Sequence, residues 1–279
     1  MTRLRLVVLT TFTMFAFAGN SVLCRLALKQ TAIDAATFTS VRLLSAVLML
    51  SLLMRLQAQP VLRHGNWRSA LSLFVYAVTL SFAYRSINTG AGALILFGAV
   101  QMTMLTAGFM AGERMRVLQI AGFAAAISGL LILVLPGIET PSTLDGLLML
   151  VSGASWGVYS MLGRGVPDPI ASTAGNFTRA APFTIIFSLC AFPWFHFDAY
   201  GATYAVISGA LTSALGYVLW YQVLQHMRAM TASTIQLSVP ILAAVGGVIL
   251  VGEALTLNLL LASMLILGGI WLVLRFGKR

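Results

Sequence analysis

Seven stretches without a charged residue constrain this chain more than anything else in it: 6–24, 86–112, 117–138, 146–163, 199–225, 229–252 and 254–274. Each is near or above the ~20 residues with which an α-helix crosses the hydrocarbon of a bilayer. A shorter run, 69–84, reaches spanning length once Trp67 and Ile87 are included. Two more, 35–54 and 169–195, are interrupted once each, by Arg42 and Arg179. The pattern predicts ten transmembrane helices. A membrane barrel would instead alternate polar and apolar residues in roughly ten-residue segments, and no such alternation is present. With 59% of its 279 residues hydrophobic and 9% charged, the chain has more apolar surface than one water-soluble core can hide. The surplus faces lipid.

A net charge of +10 suggests nucleic acid at first sight, but the placement of the charges argues for a membrane. With the N-terminus inside, twelve Lys and Arg side chains fall at cytoplasmic helix ends. Only Arg25, Lys29 and Arg85 fall at outer ends, and Arg42 and Arg179 lie within spans. This is the positive-inside bias of a multi-pass membrane protein, and an even number of helices returns the C-terminus to the cytoplasm. Nucleic acid is therefore not an expected partner. The first helix lacks the short apolar core and small-residue cleavage site of a signal peptide. Cys24 and Cys190 both fall near outer helix ends, where buried free thiols are the plain reading and a disulfide would need geometry that sequence does not give.

Connections between the spans are short, leaving no room for a soluble domain. Gln59-Pro60 and His64-Gly65-Asn66 mark turns between helices two and three, and Pro136-Gly137 with Pro141-Ser142-Thr143 marks the middle of the chain. On either side of that middle the sequence repeats itself. Gly112-Glu113 is matched by Gly252-Glu253, and Gly129 by Gly269, both at an offset of 140. Gly19 followed by Arg25 is echoed by Gly157 and Arg164, and Arg42 by Arg179. Two five-helix halves, 1–140 and 141–279, are expected. Because five is odd, the second half enters the membrane upside down. Halves inverted in this way can offer one site to alternate sides, which is what carriers need.

These landmarks resemble the drug/metabolite transporter superfamily. The resemblance rests on Ala18-Gly19-Asn20-Ser21 near the end of helix one, its partner Trp156-Gly157-Val158-Tyr159, Arg42, Arg179 and the two Gly-Glu pairs. It covers the whole chain and is similar to EamA-type ten-helix carriers, most of all to bacterial inner-membrane exporters of the YddG type. That likeness implies export of aromatic amino acids among other metabolites. The first half departs from the pattern in having Ala18 where the family often has Trp.

Several residues stand out within the spans. Arg42 lies about 12 Å below the outer start of helix two, and Arg179 about 14 Å above the inner start of helix seven. Either they attract a substrate carboxylate or gate the cavity, or they tie helix carbonyls together and snorkel. Gln101, Gln236 and Asn20 are polar near mid-membrane. They bind substrate or hydrogen-bond to a neighbouring helix. Tyr76, Phe97, Trp156, Tyr159 and Tyr217 are read as cavity lining, whereas Tyr84 and Trp220, near helix ends, read as interfacial anchors. Pro240 breaks helix nine at its midpoint and frees a carbonyl there, which makes it either a hinge or site element of the gate or an ordinary kink. Gly122, Ala126, Gly129 and Gly268-Gly269 suit helices five and ten to close packing, as scaffold or protomer contact. Glu113 and Glu253 sit at helix ends, where capping or loop pairing is the bland role.

The three histidines lack ligand spacing, and no phosphate-cradling loop follows a strand, so neither metal nor cofactor is expected. The expected activity is secondary transport of amino acids or similar amphipathic metabolites across the bacterial inner membrane. The alternatives are a membrane-embedded enzyme acting on lipid, or a carrier of drugs or other metabolites with the same fold. With no carboxylate in mid-span, transport driven by the substrate gradient is expected. The partners are a small-molecule substrate and the lipid bilayer, the chain acting as a monomer or as a homodimer.

Overall fold

A computed structural model describes residues 1–110, 117–134, 142–227, 232 and 235–276. Ten long helices and two short 3-10 turns occupy those residues and no strand does; the long helices are α1 (Arg3–Gln30), α2 (Ala35–Leu56), α3 (Trp67–Ala83), α4 (Thr89–Met110), α5 (Val117–Val134), α6 (Thr143–Leu162), α7 (Pro169–Ala191), α8 (Ala199–Leu224), α9 (Ser238–Val251) and α10 (Leu257–Arg275). Three of them, α1, α2 and α8, are long and apolar enough over their described lengths to cross a membrane. Side-chain caps set most of the starts. Asp34, Asn66, Ser142, Asp168, Asp198 and Thr256 each accept a backbone N–H from the first turn of the helix that follows.

The connections at 31–34, 84–88, 192–198 and 252–256 gather at one end of the bundle, the far end, opposite the N-terminus. Asp34 receives the His196 N–H there at 2.8 Å, and Arg25 meets Glu253. At the near end the loop between α2 and α3 rests on α7, and Gln225 at the end of α8 donates to the Val166 carbonyl.

The packing pairs come in exchanged sets. The α3–α6 pair has its counterpart in α1–α8, α4–α6 in α1–α9, and α2–α8 in α3–α7. The pairs α2–α7, α4–α9 and α5–α10 are their own counterparts. The α5–α10 contact is close because it is built on glycine. A side chain at Gly269 would collide with the Gly122 carbonyl and the Ala126 amide, and one at Gly129 with Ile266 and the Ala262 carbonyl. These helices pack on each other, as their small residues suggested.

Two aromatic expectations are corrected. Tyr84 and Trp220 are fully buried and do not lie in an interfacial belt. Tyr84 folds under the α3–α4 turn with its hydroxyl on the Thr89 carbonyl at 3.4 Å. Trp220 donates its indole N–H to Ser160 at 3.2 Å. Partnered in this way, the polar tip no longer needs water and the ring can go inside.

Candidate functional site

Two local irregularities shape the middle of the bundle. In α8 the residues Ser208–Leu215 form a π-helix, a widened turn that re-aims Ser208, Thr212 and Ser213. It can press against α2 because residue 209 is glycine: a side chain there would strike the Arg42 carbonyl and the Ser45 hydroxyl. The second irregularity precedes α9. Ile235 and Gln236 are helical, Leu237 is a turn, and α9 begins at Ser238. Pro240 therefore stands in the first turn of the helix, where its missing N–H costs nothing, and the break lies just ahead of it. The helix nine break expected at Pro240 is shifted to Leu237, beside Gln236.

Between these irregularities lies a buried polar cluster drawn from both halves of the chain. Its hub is the Tyr76 hydroxyl, which receives Asn20 Nδ2 at 2.9 Å, Arg42 Nη2 at 3.4 Å and the Tyr217 hydroxyl at 3.0 Å. Arg42 also donates from Nη2 to the Tyr217 hydroxyl at 3.1 Å and from Nε to Ser213 at 3.1 Å. Its guanidinium lies 5.4 Å from the centre of the Tyr76 ring. Asn20 Oδ1 accepts from Ser208 at 2.6 Å and Thr212 at 3.4 Å. Arg42, at 1% exposure, is as buried as the aromatic rings around it. Three buried polar groups in this region have no protein partner among the described residues: Arg42 Nη1, Gln236 Nε2 and the Tyr159 hydroxyl.

Aromatic rings enclose the cluster. Trp156 is central, with ring centres 4.6 Å from Tyr217, 5.0 Å from Tyr76, 5.2 Å from Phe17 and 5.4 Å from Tyr159. Its indole donates to Gln236 Oε1 at 3.3 Å. Phe97 stacks on Phe17 at 6.4 Å, and Gln101 is buried further along α4. The free space against Phe17, Ser21, Tyr76, Phe97 and Trp156 is about 10 Å³, room for one water at most. The rings are closed on one another in this conformation.

Of the residues singled out in the sequence, the structure brings Asn20, Arg42, Tyr76, Phe97, Trp156, Tyr159, Tyr217 and Gln236 into this one region. Arg179 is elsewhere. It is half-buried at the near end, where Nη1 holds the His64 carbonyl at 2.7 Å and Nη2 the Leu62 carbonyl at 3.1 Å. The two arginines that look equivalent in sequence thus do different work: one ties a loop, the other carries a charge into the core. Sequence reasoning missed Phe17, Ser208 and Ser213. Only the position of Phe17, three residues before Asn20, hinted at it.

A second constellation closes the far end. Arg25 Nε pairs with Glu253 Oε1 at 2.9 Å, and its Nη1 donates to the Tyr84 and Arg85 carbonyls at 2.9 and 2.8 Å. Glu253 Oε2 accepts the Thr89 N–H at 2.7 Å, capping α4 from the other half of the chain. Loop pairing and capping, the bland role considered for Glu253, is what it does. Glu113 lies outside the described residues. Among the described residues no group of three or more His, Cys, Asp or Glu could hold a metal.

Comparison with known proteins agrees with this architecture. Residues 145–275 match the model of the EamA-like transporter family. An uncharacterised protein of Pseudomonas aeruginosa is 49% identical over 277 residues, 98% of this chain and 96% of its own length. The uncharacterised transporter YoaV of Bacillus subtilis is 26% identical over 73% of each chain. A crystal structure with 16% sequence identity superposes over the whole of both chains at a TM-score of 0.68, a likeness of fold alone.

Proposed function

The chain belongs to the EamA-like transporter family of integral membrane proteins, and from that premise we propose that it exports amino acids, aromatic or other, or similar amphipathic metabolites across the bacterial inner membrane. It does so by alternating access, as two inverted five-helix halves with both termini in the cytoplasm, and one chain suffices. The observation that carries this reading is the composition of the central cluster. Asn20 and Tyr76 come from the first half, Trp156, Tyr217 and Gln236 from the second, and they meet in buried hydrogen bonds and ring contacts. A site that belongs to both halves is rebuilt whenever one half rocks against the other. The exchanged packing pairs and the reciprocal Gly129 and Gly269 contacts support the same two-fold relation.

In this reading the Arg25–Glu253 pair is the outer gate in its shut state, and the closed rings are an occluded form of the site. The test is uptake by the purified protein in liposomes, screened over amino acids, carboxylates and amphipathic amines. Trp156→Ala removes ring contacts each worth ~0.5–1.5 kcal/mol, so uptake is expected to fall by about tenfold or more. Leu131→Ala, on the exposed face of α5, is expected to leave it unchanged. Uptake that survives the first change and is lost with the second contradicts the placement of the site.

A further inference from the structure

The geometry points to an organic anion as the substrate: a carboxylate seated on Arg42 Nη1, carried by a flat apolar body that slides among the rings. This rests on the carrier reading of the same site and narrows it.

The argument begins with charge. A guanidinium stays protonated in any protein environment, so Arg42 brings a full positive charge into the core of the bundle. Its partners are the hydroxyls of Ser213, Tyr76 and Tyr217, all neutral. Every carboxylate among the described residues is occupied at a helix end. Asp34, Asp168 and Asp198 cap α2, α7 and α8, Asp145 binds Ser86 and Ser142, and Glu253 holds Arg25. A charge at membrane depth without a counter-charge is costly, and such residues mark substrate pathways by default. The counter-charge that the described residues do not supply is the substrate's.

Hydrogen-bonding capacity points the same way. Two donor-only groups of the cluster are unspent, whereas its amide acceptors are taken. Arg42 Nη1 and Gln236 Nε2 are buried without partners, whereas Asn20 Oδ1 already serves two hydroxyls and Gln236 Oε1 serves Trp156. An ammonium group would find both amide acceptors taken and Arg42 repelling it. Aromatic faces can hold a cation, but the face of Tyr76 is already covered by Arg42 itself. A carboxylate meets the reverse situation at Arg42 Nη1, an unspent donor that is also charged and so gives a short and strong bond. Trp156, Tyr217 and Phe17 then offer the apolar walls.

Four probes with one phenyl body separate the possibilities: hydrocinnamate, its neutral amide hydrocinnamamide, phenylalanine and phenethylamine. Binding to the purified protein is read by quenching of tryptophan fluorescence, and flux by counterflow in liposomes. Hydrocinnamate is expected to bind at least about tenfold more tightly than the amide, phenylalanine more weakly than hydrocinnamate, and phenethylamine least. Arg42→Gln should abolish the preference for carboxylate over amide, and Arg42→Lys should keep part of it. Equal binding of hydrocinnamate and its amide to the unaltered protein overturns the inference without recourse to any variant, as does binding of none of the four. A preference that survives Arg42→Gln overturns it too. Flux without carboxylate preference removes the anion seat and leaves the carrier; carboxylate binding without flux of any probe removes the carrier and leaves the seat.

Discussion

Tyr76 shows how much one hydroxyl can hold. Three donors converge on it from α1, α2 and α8, so Tyr76→Phe strands Asn20 Nδ2 and the proton of the Tyr217 hydroxyl in a buried place. The expected cost is about 1–2 kcal/mol, read as a lower midpoint of thermal unfolding in detergent, with transport lost as well. An unchanged midpoint would mean that the hub is not under the constraint described. Asp34 gives the pH dependence. Although burial pushes its carboxyl up, hydrogen bonds from the Thr37 hydroxyl and the His196, Thr37 and Ala36 amides outweigh that and hold it below the usual carboxylate range. A depressed value in the folded state means stability that is present above the unfolded value and lost as pH falls through the lower, folded one. The unaltered protein is therefore expected to be more stable than Asp34→Asn at neutral pH, with the difference closing below about pH 4. Equal midpoints at neutral pH contradict it. At this scale the sequence was informative where a polar side chain interrupts an apolar span, as with Asn20, Tyr76 and Gln236. It held only a hint of Phe17 and none of Ser213, because a Phe in an apolar run and a Ser in a helix are ordinary.

At the scale of helices, the proposed gating rests on their ends. The Arg25–Glu253 pair joins α1, the α3–α4 turn and the α9–α10 turn, so its loss frees three elements at once. Glu253→Gln leaves Arg25 buried without its counter-charge, and a shift of only ~1.4 kcal/mol raises the open population tenfold. Cys24, fully buried beside Arg25, is a built-in reporter once the exposed Cys190 is replaced by Ser. Maleimide labelling of Cys24 is expected to be slow in that background and severalfold or more faster with Glu253→Gln added. Equal rates would show that the pair does not hold the far end shut. The π-turn in α8 and the break at Leu237 were not legible in the sequence. A widened turn follows from how α8 must register against Arg42 across Gly209, a tertiary demand that leaves no local pattern. Pro240 did announce a break, though one residue pattern cannot say on which side of the proline the chain turns. Arg42 and Arg179 make the same point: matched in sequence, they part company because only one faces a loop whose carbonyls need donors.

For the molecule as a whole, uncharged runs and helix caps made an all-helical membrane bundle readable, because lipid leaves the backbone few alternatives. What the sequence could not convey was that the central rings close on one another. Aromatic side chains at cavity-lining positions look the same in an open and in an occluded carrier. The absence of a carboxylate beside the cluster among the described residues predicts transport that needs no imposed proton or sodium gradient, and strict dependence on either in liposomes would contradict that. The central claim is that one occluding site serves both sides of the membrane, and solute counterflow tests it most directly. Liposomes holding the purified protein are loaded with unlabelled hydrocinnamate and diluted into a trace of labelled hydrocinnamate, with no ion gradient. The account predicts a transient accumulation of label above the outside concentration, abolished by Trp156→Ala and retained by Leu131→Ala. Simple equilibration of the label without an overshoot, the behaviour of an open channel, would contradict it.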